Sequence, residues 1–194
     1  MKKICVFTGA ATGNNPVFRE TATKTGEMLA ARGLGLVYGG GKMGLMGAVA
    51  DGTIAGNGHV TGIIPQFLNN IEIGHPDVKD LHIVDSMHER KAMMYDISSA
   101  FIILPGGLGT LDETMEVITW RQLKQHSKPI IILNQNGYWD HLLALFQSVI
   151  DNEFMHNDHI EHFEVAQNLD ELAYHLDKLL RISLRKYMLM SFMR

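Results

Sequence analysis

With 194 residues, 46% hydrophobic and 20% charged, the chain has the make-up of an ordinary globular domain with a full core. A formal net charge of −4 leaves no basic stripe for a polynucleotide, so a nucleic-acid partner is not expected. No apolar stretch reaches bilayer length, the run after Met1-Lys2-Lys3 is too short for a signal peptide, and Cys5 is the single cysteine, so a cytoplasmic protein without membrane contact or intrachain disulfide is expected.

In chain order, Ile4 to Thr8 reads as a buried strand, and Asn15-Pro16 opens a helix that runs to Arg32 before Gly33. Leu34 to Tyr38 is the next strand. Gly39-Gly40-Gly41-Lys42-Met43-Gly44 then matches G-x-G-x-x-G, but it follows the second strand, and the strand from His59 to Ile64 ends in Pro65-Gln66 with no acid for a ribose. That context argues against a dinucleotide dehydrogenase. Met43 stands where a P-loop needs Ser or Thr, so what remains is a turn where backbone comes close to a ligand or a helix, with Leu45 to Gly56 as the helix behind it.

Pro65 to Pro76 reads as irregular and carries Glu72; Leu81 to Val84 is a short strand. Ser86 and Glu89 fit a capping box that opens a helix to about Ser98. Arg90 and Lys91 fall in its first turns, where positive charge opposes the helix dipole. Two readings stand: the side chains snorkel to solvent, or an anion or carboxylate lies nearby and Arg90 grips it. Met87, Met93, Met94 and Met115 on the two neighbouring helices read as core or subunit-contact filler.

The most informative stretch is Phe101 to Glu113. A charge-free run, Ala100 to Leu104, stops at Pro105; then come Gly106, Gly107 and Gly109, and a helix pattern with Leu111, Met115 and Ile118 on one face. A glycine turn leading into a helix N-terminus exposes backbone N–H groups and the positive dipole end, a cradle for phosphate. Thr110-Leu111-Asp112-Glu113 also fits a capping box, with Thr110 as N-cap and Glu113 reaching back to it, so Glu113 is open to a structural or a functional reading.

Pro129 to Leu133 reads as a final strand, Asn134 to Tyr138 as a turn, Asp140 to Ile150 as a helix and Leu169 to Arg181 as a last amphipathic helix. His156, His159 and His162 recur by threes but lack the partners of a metal site, so no metal is expected. Alternating strands and helices predict a single-domain α/β fold, a Rossmann-like parallel sheet with helices on both faces. Residues 1–181 form this domain and 182–194 a tail mixing apolar and basic residues.

Pro105-Gly106-Gly107-Leu108-Gly109-Thr110-Leu111-Asp112-Glu113 resembles the Pro-Gly-Gly-x-Gly-Thr-x-x-Glu signature of the LOG family, the cytokinin riboside 5′-monophosphate phosphoribohydrolases often mislabelled lysine decarboxylases. Gly39-Gly40-Gly41 with Gly44 to Gly47, Asp85 to Lys91, and Glu116 to Trp120 resemble it too. The resemblance implies hydrolysis of the base–ribose bond of AMP or an N6-modified adenosine monophosphate, without cofactor, in a homodimer. It implies Arg90 and Glu113 as catalytic residues. For the nucleotide it implies Glu72, Met87, Lys91, Gly107, Leu108, Gly109, Thr110, Leu111, Asp112 and Thr119, with the Gly39, Gly40 and Gly41 turn. Thr8-Gly9-Ala10-Ala11 departs from the Cys-Gly-Ser-Ser of many relatives, and Asp112 from the usual glutamate. Two rivals are a non-catalytic nucleotide or cofactor carrier on the same fold, and the pyridoxal-dependent decarboxylase of the old label.

Overall fold

The computed structural model describes residues 1–72, 74–155 and 162–191, with 70–72 and 182–191 given by backbone alone. Among them, seven strands form one all-parallel sheet: β1 (Lys3–Phe7), β2 (Gly35–Tyr38), β3 (Val60–Pro65), β4 (Asp80–Val84), β5 (Ala100–Ile103), β6 (Ile130–Leu133) and β7 (Glu164–Ala166), in the order β4-β3-β2-β1-β5-β6-β7. The helices are α1 (Pro16–Ala31), α2 (Gly44–Ala55), α3 (Gln66–Glu72), α4 (Met87–Ile97), α5 (Leu108–Gln122), α6 (Asp140–Asp151) and α7 (Leu169–Ser191).

Apart from Lys3 at the start of β1, the central strands β1, β2 and β5 carry no charged residue, because both faces are covered. Ile4 and Val6 join Leu36, Tyr38, Val49 and Leu29 on one face; Cys5 and Phe7 join Val37, Phe101, Met94 and Val117 on the other. On the first face α1 and α2 pack with almost no gap, since a Cβ at Gly26 would lie 2.2 Å from the Val49 carbonyl oxygen and one at Gly52 2.1 Å from that of Thr23. The start of α1 is as expected: Asn15 accepts from the Val17 N–H at 3.1 Å and Pro16 follows.

Four elements differ from the sequence expectation. Gln66–Glu72 is helical rather than irregular, a helix of under two turns whose Asn-rich sequence carries no cap signature. β7 adds a seventh strand beyond Leu133; three residues with one β-branched side chain give too short a pattern to read. α7 continues past Arg181 to Ser191, so no break in the helix marks the start of a tail. Finally α5 begins at Leu108 with Gly107 as N-cap, three residues before the apolar pattern starts, so Thr110 lies inside the first turn and is not the cap.

Candidate active site

From β1 the chain steps outward through β2, β3 and β4, then returns to the other side of β1 as β5. The loops that leave β1 and β5 therefore diverge at the carboxyl ends of the two central strands, the place where open α/β sheets bind ligands. Here the loops are laced together: the Thr8 hydroxyl and the Gly9 N–H both donate to the Pro105 carbonyl, at 2.9 and 3.1 Å. A cavity of about 580 Å³ opens over this junction.

One side of the cavity is the start of α5. Leu111 N–H bonds back to the Gly107 carbonyl at 3.0 Å, and the N–H groups of Gly107, Leu108, Gly109 and Thr110 have no acceptor among the described residues. A Cβ at Gly107 or Gly109 would meet nothing within 4 Å, so the space over these amides is open. Gly106 is different, because a Cβ there would lie 2.1 Å from Thr110 Oγ1 and 2.8 Å from the Gly9 nitrogen. The three glycines thus divide between packing and access.

Glu113 sits one turn further on and faces Arg90 of α4, with Nη2 to Oε1 at 3.5 Å and both side chains about nine-tenths buried. The geometry bears on one side of each open reading. Glu113 does not fold back onto Thr110, and Arg90 does not snorkel. Room for the guanidinium comes from the β2 turn, where a Cβ at Gly39 would lie 2.1 Å from Arg90 Nη2. Arg90 Nη1 also reaches Met87 Sδ at 3.7 Å, while its buried Nε has no partner among the described residues. The capping box of α4 is modified: Ser86 accepts from the Glu89 N–H, but Glu89 accepts from the Asp85 N–H at 3.0 Å.

Burial pushes the Glu113 carboxyl up to about 7, with Arg90 pulling it down, Asp112 adding to the rise, and Lys91 and Glu116 acting in opposite senses. An acid that titrates near neutrality inside a cavity has both protonation states at hand for proton transfer or charge stabilisation.

Of the residues expected here, Arg90, Glu113, Met87, Gly107, Gly109, Thr110 and Asp112 line the cavity. Lys91 does not; its ammonium is committed to Asp112 and Glu116, each at 3.2 Å. Leu108 is 85% exposed, Leu111 packs against the core under α5, and Thr119 is exposed on the helix outside the cavity lining. Gly39, Gly40 and Gly41 stay off the lining as well: Gly39 makes space for Arg90, Gly40 takes a φ of +81° against β3, and Gly41 bridges to Gly74. Glu72 ends α3, and its side chain lies outside the described residues, as do His156 and His159.

A further wall lies outside the residues expected to bind the nucleotide, although the resemblance had already drawn attention to the turn at Thr8 to Ala11. The β1 loop from Gly9 to Asn14, Phe18 and Tyr138 also line the cavity. A small-residue loop after the first strand was a usable signal once strand order was known; nothing local marks Tyr138.

A family model described as "Possible lysine decarboxylase" matches residues 46–176. A rice protein (Oryza sativa subsp. japonica) named probable cytokinin riboside 5′-monophosphate phosphoribohydrolase LOGL9 is 43% identical over 91% of this chain and 78% of its own length. The chain belongs to the LOG family. LOG5 of Arabidopsis thaliana, named cytokinin riboside 5′-monophosphate phosphoribohydrolase, is 42% identical over 91% of this chain and 77% of its own. Among solved structures, the molybdenum cofactor binding protein of Rippkaea orientalis superposes with a TM-score of 0.70 over 93% of this chain and 98% of its own, at 20% identity. That likeness shows a shared fold, the parallel sheet on which this LOG-family site is built.

Proposed function

We propose that the protein hydrolyses the N-glycosidic bond of a nucleoside 5′-monophosphate of the adenine series, AMP or an N6-modified relative, releasing free base and ribose 5-phosphate. The observation that carries the reading is the buried Arg90–Glu113 pair, 3.5 Å apart, beside a helix N-terminus with free N–H groups. Departure of the base leaves positive charge on the sugar, which a carboxylate in a water-poor site stabilises far better than one in bulk solvent. The amides of Gly107 to Thr110 would hold the phosphate, Arg90 would orient Glu113 and the ribose, and the ionised Glu113 would stabilise the sugar cation or activate water.

The names of the relatives at 42% and 43% identity support hydrolysis over a carrier role, which has no need of a buried carboxylate titrating near neutrality. Decarboxylation on a pyridoxal Schiff base requires a lysine in the cavity, and none lines it among the described residues. We also take the working unit to be a homodimer in the cytoplasm; Leu108 and Ile83, 85% and 52% exposed, are apolar surface that a second subunit would cover.

The deciding experiment incubates the purified protein with AMP and with N6-prenylated AMP and separates the products by chromatography. Free base from at least one of them is expected, with loss of the activity in Glu113→Gln and Arg90→Ala variants. If neither nucleotide is cleaved, the carrier reading takes over.

A further inference from the structure

We infer that Tyr138 is a positioning residue of the anion-binding turn: by taking the Gly106 carbonyl it fixes the Gly106–Gly107 peptide plane, so that the Gly107 N–H stays aimed at the bound phosphate. The inference rests on the phosphate-binding reading of that turn and deepens it. Tyr138 Oη donates to the Gly106 carbonyl oxygen at 2.6 Å, from a segment 32 residues away in sequence. A trans peptide is planar, with its carbonyl and the following N–H pointing in opposite directions, so a bond to one sets the direction of the other.

This peptide needs such a clamp. It joins two glycines, and a glycine rotates through conformations closed to other residues. Gly106 is hemmed in by Thr110 and Gly9, but on the Gly107 side nothing lies within 4 Å of a would-be Cβ, so packing resists rotation at one end only. Were the plane to turn over, a carbonyl oxygen would join the free amides of Leu108, Gly109 and Thr110 and repel an anion there.

The segment that carries Tyr138 is built to deliver it. Asn136 and Gly137 take φ values of 55° and 70°, which reverse the chain just after β6. The buried Asn134 ties down both sides of the reversal, accepting from the Trp139 N–H at 2.7 Å and donating to Asp140 at 2.8 Å and to Gln167 at 3.1 Å. Phe18 meets the Tyr138 ring edge-on at 5.2 Å, which fixes its tilt over the glycine turn.

Tyr138→Phe keeps the ring and its packing and removes the donor alone. Titration calorimetry with ribose 5-phosphate should show roughly five- to tenfold weaker binding than wild type, the size of one lost hydrogen bond. Adenosine, which has no phosphate, should bind the two proteins equally. In turnover of AMP the loss should fall on KM by the same factor and not on kcat. Unchanged ribose 5-phosphate affinity overturns the inference, as does equal weakening of adenosine, which would make the hydroxyl a general packing element. The two levels separate cleanly: a wild type that binds ribose 5-phosphate yet leaves AMP intact removes the hydrolysis reading and keeps this one, and a wild type that binds no ribose 5-phosphate removes the clamp.

Discussion

At the scale of single residues the site is a matter of who neutralises whom. α4 presents Arg90 and Lys91 to an acidic face of α5, and they divide it: Arg90 takes Glu113 while Lys91 bridges Asp112 and Glu116. If the ionised Glu113 does the chemistry, kcat/KM rises with pH through a midpoint at about 7, and Glu113→Gln loses on the order of 10²–10⁴-fold in rate. Lys91→Met leaves the two flanking carboxylates uncompensated, so the acid limb of that profile should move to higher pH while the plateau holds; a rise in KM with an unmoved limb would make Lys91 a substrate ligand instead. The same group carries a stability signature. Its folded pKa of about 7 lies above the ordinary 4.5, so between these values the folded state keeps a proton that the unfolded chain has released. Stability therefore falls as pH rises across that window, by roughly 3 kcal/mol in all. Denaturant titrations should show Glu113→Gln gaining on wild type by up to that amount between about pH 4.5 and pH 8, and an unchanging difference would mean the carboxyl is not shifted.

At the scale of elements, the glycine turn separates two roles that look alike in sequence. Gly106→Ala drives a Cβ to within 2.1 Å of Thr110 Oγ1 and 2.8 Å of a backbone nitrogen, so it should destabilise the fold by about 1–3 kcal/mol. Gly109→Ala meets open space within the first turn of α5 and should stabilise by up to ~1 kcal/mol, yet raise KM by crowding the phosphate. Thermal melts and steady-state kinetics on the pair check this opposition. The turn also shows where the sequence was legible. Strands such as β1, β5 and β6 declared themselves because burial on both faces leaves uninterrupted apolar runs, and Asn15-Pro16 marked α1 through chemistry local to the cap. The start of α5 was hidden because its first turn contains Gly109, among the poorest of helix formers, and tertiary context overrode propensity. Likewise the dipole conflict at Arg90 was readable as a question, but the carboxylate that answers it lies on a different helix. The resemblance names both residues, and the fold shows them paired and gives the surroundings of Gly39 and Tyr138.

At the scale of the whole molecule the cavity sits where the sheet's two halves meet, and its walls come from far-separated parts of the chain: the β1 loop, α4, the start of α5 and the loop after β6. Away from these walls, α7 packs against α1. Leu172 and Leu176 of α7 enter the core, and Asp177 pairs with Arg32 at 2.8 Å. A ligand that needs several of these segments in place binds the folded state and not the unfolded one, so it stabilises the whole domain by mass action. At a hundred times its dissociation constant the gain is about 2.7 kcal/mol, which for a domain of this size corresponds to roughly 5–10 °C in Tm. The Glu113→Gln variant is the protein to use, because it should hold AMP without consuming it. Scanning calorimetry should show that rise with AMP and with ribose 5-phosphate. Adenosine at equal concentration should give a smaller shift, since it forgoes the amides of Gly107 to Thr110. Should adenosine stabilise as well as AMP, the start of α5 does not hold the phosphate, and the anion must be sought elsewhere in the cavity.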